Sequence, residues 1–280
     1  MVHQRTADTA AVIKGAETID LQEGSSHGVL LLHGFGDTPQ TLALIARRLA
    51  KSGFGVLAPL LPGHGRTMKE FRGSRADEWI EAARGSFLRM RQRYATVSVV
   101  GLSMGGALGV IVAAGTPDIA SLVLIAPYLG MPLPLQIAAR SHWVWGKLAG
   151  EINARSLQSI HDPIEREKNL AYGAVTGRTL LELWKVVSKA RKALPHVTAP
   201  TLVILSKEDP RVATAVAEFA MQKLGAHDKK MVLTEGAGHI ITVDYGRERV
   251  FSEVEKWLRM HDDGSATAAG STSAAVERRR

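Results

Sequence analysis

The segment VVGLSMGGALGV, residues 99–110, decides how the chain is read. Ser103 stands near its centre, with Gly101 two residues before it and Gly105 two after, Gly106 following. An apolar run, VSVVG at 97–101, leads into the serine, and a helix-like run, MGGALGVIVAA at 104–114, leads away. A strand that turns sharply into a helix forces the serine into strained φ/ψ and crowds its neighbours, so side chains two residues either side would clash. The turn also presents Oγ at a helix N-terminus, where free N–H groups and the positive end of the helix dipole favour anionic charge. A purely structural turn could carry the same letters. A nucleophile needs in addition a base, an orienting acid and an oxyanion site elsewhere in the chain.

Outward from this segment, apolar runs of strand length recur: GVLLL (28–32), GVLAP (55–59), LVLIA (122–126), TLVIL (201–205) and KMVLT (230–234). They are nearly continuous rather than alternating, as in parallel strands covered on both faces. Helical patterns fill the gaps at 39–51, 75–94, 104–114, 213–224 and 247–260. Strand and helix in alternation predict an α/β fold with a doubly wound, mostly parallel sheet. The rhythm breaks between residues 126 and 201, where LPLQIAARSHWVWGKLAG (133–150) and RTLLELWKVVSKARKAL (178–194) predict a helical cap over the C-terminal edge of the sheet. Open α/β sheets bind ligands at that edge. The expected organisation is a flexible N-terminal segment at 1–18, a core at 19–127 and 196–261, a cap at 128–195 and a disordered tail at 262–280, rich in small and polar residues.

The base is sought among ten histidines. His239 follows the last strand-like run and the turn EGAG and precedes the last long helix, so it falls on the same sheet edge as Ser103. The acid is sought after TLVIL, in the sequence SKEDPRV. Asp209, before Pro210 and Val212, is favoured; its neighbour Glu208 is the alternative, and Asp244, five residues after His239, is a weaker one. The acid fixes the imidazole tautomer and stabilises the imidazolium. For the oxyanion, the N–H of Met104 and the N–H of Phe35 in LLLHGFGDTP are the expected donors. His33 is assigned to the turn itself rather than to chemistry.

The motifs LLLHGFGDTP, PLLPGHG, ADEWI, VVGLSMGG, HVTAPTLVILSKEDPRV and EGAGHIITVD occur in an order and spacing that resemble the α/β-hydrolase superfamily, most closely its bacterial carboxylesterase and monoacylglycerol lipase group, over about residues 20–260. The resemblance implies an α/β-hydrolase sheet with the cap inserted after the sixth strand. It also implies a Ser103–His239–Asp209 triad with Phe35 and Met104 as oxyanion donors, the set already reached from chemistry. The expected reaction is hydrolysis of short- to medium-chain acyl esters or monoacylglycerols through an acyl-enzyme, with no metal and no cofactor. Serine peptidases, C–C hydrolases and acyltransferases use the same triad. A non-catalytic binding module of this fold usually lacks a triad member. Dehalogenases and epoxide hydrolases place aspartate where Ser103 stands.

Trp143 and Trp145 in the cap, and Ile240 beside the histidine, are the candidate pocket residues; an apolar cap suits an acyl chain better than a sugar or a charged peptide. The absence of cysteine excludes disulfides, thiolate metal sites and a cysteine nucleophile. The net charge of +8 comes from 35 Lys and Arg against 27 Asp and Glu, dispersed rather than clustered, so no nucleic-acid partner is expected. The cap segment 128–195 carries a local basic excess and could touch an anionic interface transiently, without stable insertion. No secretory signal and no apolar run near the ~18 residues of a membrane span are seen, so a cytoplasmic location is expected.

Overall fold

In a computed structural model of the chain, residues 10–22, 26–116, 118–153 and 159–262 are described. Their order is β1 (Ile19–Leu21), β2 (His27–Leu32), α1 (Ala43–Lys51), β3 (Gly55–Ala58), α2 (Met68–Gly73), α3 (Ala76–Arg93), β4 (Thr96–Leu102), α4 (Met104–Ala114) and β5 (Leu122–Ile125). The insert follows, with α5 (Leu133–Arg140), α6 (His142–Ala149), β6 (Ile152–Asn153), α7 (Pro163–Lys168) and β7 (Ala174–Val175). The chain then continues through α8 (Gly177–Ala193), β8 (Thr201–Ser206), α9 (Thr214–Lys223), β9 (Lys229–Thr234) and α10 (Arg247–Met260).

One sheet of seven strands runs β1-β3-β2-β4-β5-β8-β9, parallel except for the antiparallel pair of β1 with β3. Every residue of β2, β3, β5 and β8 is buried, whereas β9 at the edge alternates, which is why the inner strands read as unbroken apolar runs. The chain leaves β2 outward to β3 and then crosses back to β4, so right-handed crossovers put α1 on one face and α3, α4 and α8 on the other. Accordingly α3, α4 and α8 pack against one another and α1 packs against α10. The direction of winding reverses between β2 and β4, and a crevice opens at the carboxyl ends of those two strands.

The expected insertion point needs correction. Among the described residues the insert follows the fifth strand in chain order, not the sixth, because only the short antiparallel β1 precedes β2. Residues 10–18, read as part of a flexible segment, lie against the 60–70 loops: the Ile13 N–H donates to Gly65 O at 2.8 Å and Ala16 is fully buried. Residues 1–9 of that segment and 263–280 of the expected tail lie outside the described residues. Helix α8, placed in the cap from sequence, buries Leu183, Val186, Val187 and Ala190 while packing on α4, and α5 and α6 pack on it in turn. No described helix is long and apolar enough to cross a membrane.

Candidate active site

Strand β4 ends at Leu102 and α4 begins at Met104, leaving Ser103 alone in the turn with φ 56° and ψ −117°. That region is costly for a residue with a Cβ, by about 1–3 kcal/mol, and persists only where the surroundings enforce it. Here the Ser103 N–H donates to Ile125 O at 2.9 Å, and Ser103 O accepts the Tyr128 N–H at 3.1 Å, so the end of β5 grips the turn from both sides. The flanking glycines are required by close approach. A Cβ on Gly105 would lie 1.9 Å from Leu32 O, and one on Gly101 would lie 2.2 Å from Gly105 O. Strand β2, the turn and the first turn of α4 therefore touch backbone to backbone.

Two further loops complete the arrangement. The His239 ring lies 2.8 Å from Ser103 Oγ through Nε2 and 2.8 Å from Asp209 Oδ2 through Nδ1. A carboxylate only accepts, so Nδ1–H donates to Asp209 and Nε2 is left to accept the serine hydroxyl. Asp209 is fully buried at its side chain, and its other oxygen accepts the N–H groups of Arg211 and Val212 at 2.7 and 2.9 Å. Glu208 points elsewhere: its carboxylate accepts from Ser206 Oγ and from the Gly236 N–H, joining the loops after β8 and β9. Asp244 does not touch His239 either; it accepts four backbone N–H groups, among them that of Gly238.

The loop after β2 runs alongside the serine, since a Cβ on Gly34 would sit 3.4 Å from Ser103 Cβ. Phe35 follows directly. Met104 is the first residue of α4, so its N–H has no carbonyl one turn back in the helix. Buried His33 shapes this loop: its Nε2 accepts the Leu61 N–H at 3.1 Å, which leaves Nδ1–H to donate to Gly34 O at 2.9 Å. Burial holds the His33 imidazole well below its usual pKa, and His64, whose ring centroid is 5.0 Å away, is brought down by burial to about 4. Behind the loop, burial raises Asp37 to about 6 although Thr41 Oγ1 and the Thr38 N–H both donate to it at 2.8 Å. The Phe35 ring packs on Phe71 and Trp79.

Above these residues lies a cavity of roughly 1250 Å³. Phe35, Ser103 and His239 line it below, and Leu135, Trp145 and Leu180 are among the apolar residues around it. Ile240 lines it too. Trp143 does not: it is 73% exposed and faces away. Residues two apart on a helix differ by about 200° in direction, so α6 can turn only one of the two tryptophans inward. The inward one, Trp145, is fixed by its indole N–H to Ala138 O at 2.9 Å. From the insert, Tyr172 donates through its hydroxyl to Gly63 O, accepts the Arg66 N–H and donates its own N–H to Gly36 O, all at 3.0–3.1 Å. Among the described residues no group of three or more His, Asp and Glu is placed to hold a metal ion.

A base that accepts from a serine hydroxyl, oriented by a buried carboxylate and facing an apolar cavity, is suited to acyl transfer. Comparison with known proteins points the same way. A family model described as serine aminopeptidase, S33, matches residues 25–245. The chain is similar to a thermostable monoacylglycerol lipase of Bacillus sp. (strain H-257), with 30% identity over 252 residues, 89% of this chain and 97% of the relative. It is similar to a carboxylesterase of Bacillus subtilis (strain 168), with 23% identity over 241 residues, 86% of this chain and 95% of the relative. Among solved structures, one from work on the metagenome-derived lipolytic enzymes LipS and LipT has a TM-score of 0.82 at 29% identity, covering 90% of this chain and 100% of the other. The monoacylglycerol lipase of Paleococcus ferrophilus has the same fold, with a TM-score of 0.74 at 19% identity over 87% of this chain and 98% of the other.

Proposed function

The chain belongs to the family described as serine aminopeptidase, S33, within the α/β-hydrolase superfamily, and on that premise we propose that it hydrolyses carboxylic esters through an acyl-enzyme on Ser103. The observation that carries this reading is the unbroken relay from Asp209 through His239 to Ser103, with both links at 2.8 Å, opening into the cavity. In the first half-reaction Ser103 Oγ attacks the ester carbonyl while His239 Nε2 takes its proton. The N–H groups of Phe35 and Met104 hold the oxyanion; losing one such donor typically slows a reaction by ~10²–10³. The intermediate collapses, the acyl C–O bond to the leaving alcohol breaks, and the imidazolium gives that alcohol its proton. Water then attacks the acyl-enzyme by the same route and releases the acid and the free serine.

The substrate reading is an ester of a short- to medium-chain acid or a monoacylglycerol, with Trp145 and Ile240 against the acyl group. It is supported by the apolar lining and by relatives that are lipases and a carboxylesterase. Trp143 moves from the pocket to the outside. It and Leu133, Val144 and Ile164, none of which lines the cavity, are each more than half exposed on the insert, apolar side chains suited to transient contact with a lipid interface. The test is a fluorophosphonate probe followed by p-nitrophenyl esters and monoacylglycerols of increasing chain length, with aminoacyl p-nitroanilides alongside. Labelling at Ser103 and ester turnover that disappears in Ser103→Ala are expected. Turnover that survives in Ser103→Ala refutes the nucleophile, and faster cleavage of the anilides refutes the esterase reading in favour of a peptidase.

A further inference from the structure

Asp244 is fully buried yet takes no part in the relay. All its partners are backbone N–H groups: Gly238 and His161 at 2.7 and 2.8 Å on Oδ2, Asp162 and Tyr245 at 2.9 and 2.8 Å on Oδ1. A carboxylate has about four acceptor sites, so this one is saturated. The donors come from two regions far apart in the chain. Gly238 immediately precedes His239, whereas His161 and Asp162 lie within the insert just before α7, and a single oxygen atom bridges Gly238 and His161. Two more contacts join the same segments: the Ile240 N–H to Ser159 O at 2.9 Å, and His161 Nδ1 to Gly236 O at 3.1 Å. Asp162 in turn caps α7, its side chain accepting the Ile164 and Glu165 N–H groups, and Pro163 and Arg166 of α7 line the cavity.

We propose that Asp244 is a positioning residue that registers His239 against the insert, so that the geometry of the relay depends on how α7 and the cavity wall are seated. The proposal rests on the serine-hydrolase reading above. Asparagine at 244 would offer one carbonyl oxygen to four N–H donors and turn its own NH₂ toward two of them. Loss of the outer hydrogen bonds that orient a metal-ligating side chain typically costs ~10–100-fold, and a loss of that order is expected for a base oriented in the same way.

The experiment compares wild type, Asp244→Asn and Asp244→Glu by three readouts: the endpoint of fluorophosphonate labelling, the rate of labelling, and kcat and KM for p-nitrophenyl acetate per labelled site. The endpoint counts folded sites; the rate and kcat read the geometry of the relay. For Asp244→Asn the expected result is a full endpoint, with labelling rate and kcat down ~10–100-fold and KM within threefold. Asp244→Glu keeps the charge and the acceptor count but adds a methylene, so it probes the same site through size rather than lost acceptors, and it is expected to show a smaller loss of the same kind. A lowered endpoint with wild-type kcat per labelled site in whichever variant folds makes Asp244 merely structural and overturns the proposal. Absence of labelling in the wild type would instead overturn the serine-hydrolase reading on which it rests.

Discussion

Strand β4 carries two Ser–His–Asp chains, one at each end. At its carboxyl end Ser103 meets His239 and Asp209. Five residues earlier, about 16 Å back along an extended strand, Ser98 Oγ lies 2.9 Å from His27 Nε2, and His27 Nδ1 lies 3.2 Å from Asp262 Oδ1. The residue types and their linkage match, yet burial runs in opposite senses. In the upper chain the aspartate side chain is fully buried and the serine faces a cavity. In the lower chain serine and histidine are fully buried and the aspartate side chain is 36% exposed. Ser98 sits in regular strand and shares its hydroxyl with Ser121 at 2.9 Å, whereas Ser103 occupies a strained turn at a helix N-terminus. On the proposed function, the difference between the two relays lies in which end meets the substrate and what stands ready to hold the resulting anion.

Substitution at matched positions tests that contrast. The largest effect is expected from Ser103→Ala, which should lower kcat by ~10⁴-fold or more. Ser98→Ala should leave kcat within a few-fold and instead cost ~1–3 kcal/mol, because His27 and Ser121 lose a buried partner; urea unfolding together with ester turnover separates the two outcomes. Next, Asp209→Asn is expected to reduce kcat by ~10³–10⁴ through the wrong imidazole tautomer. Asp262→Asn should leave turnover unchanged, and a comparable fall there would break the comparison. Third, Gly105→Ala drives a Cβ to within 1.9 Å of Leu32 O and should damage both stability and turnover, while Gly109→Ala, one turn on, meets side-chain methyls of Leu122 at 3.2 Å and Val99 at 3.4 Å and no backbone, and should be tolerated. Thermal melting and the labelling endpoint of both proteins report this.

The smallest effects concern pH. His27, His33 and His64 all have folded-state pKa values lowered by burial, His64 to about 4. Below the unfolded value near 6.5 the unfolded chain binds more protons than the native one, so stability falls with pH until the folded values are passed. For fully buried His64 alone the loss is on the order of 3 kcal/mol. Asp37 works in the opposite sense. Its pKa is raised to about 6, so the native state binds more protons between about 4 and 6 and gains stability as pH falls through that window. Asp37→Asn should therefore steepen the acid loss of Tm, and any advantage it has at pH 8 should shrink below pH 6. A melting series whose slope is the same in both proteins would remove Asp37 from the account.

The sheet was legible because five of its strands are buried on both faces, or nearly so, and cannot hide their apolar runs. Strand β1 is three residues long and gave no such run, and the place of the insert after a sixth strand came from the resemblance alone; among the described residues five strands precede it. The short α2 and α7 were missed for the same reason. The Ser103 turn was legible because close backbone approach leaves only glycine at 101 and 105. Glu208 and Asp209 are adjacent, and which of them turns toward His239 is decided by the backbone of their loop, which no residue pattern reports. The roles of Asp244, Asp37 and Tyr172 were hidden more deeply. Their partners include main-chain groups from other parts of the loop or chain, and main-chain groups are identical at almost every position.

That last property separates the insert's attachment from its chemistry. Tyr172 and Asp244 hold the insert to the core by gripping carbonyls and amides at Gly36, Gly63, Arg66, His161 and Asp162. At Arg66, His161 and Asp162 those anchors take only main-chain N–H groups, so they tolerate a change of side chain that is not proline, whereas Gly36 and Gly63 stand at positive φ and a Cβ on Gly63 would lie 2.5 Å from Ser74 Cβ. The side chains that line the cavity can thus be rewritten residue by residue, widened, narrowed or made polar, while the roof stays bolted to the same floor.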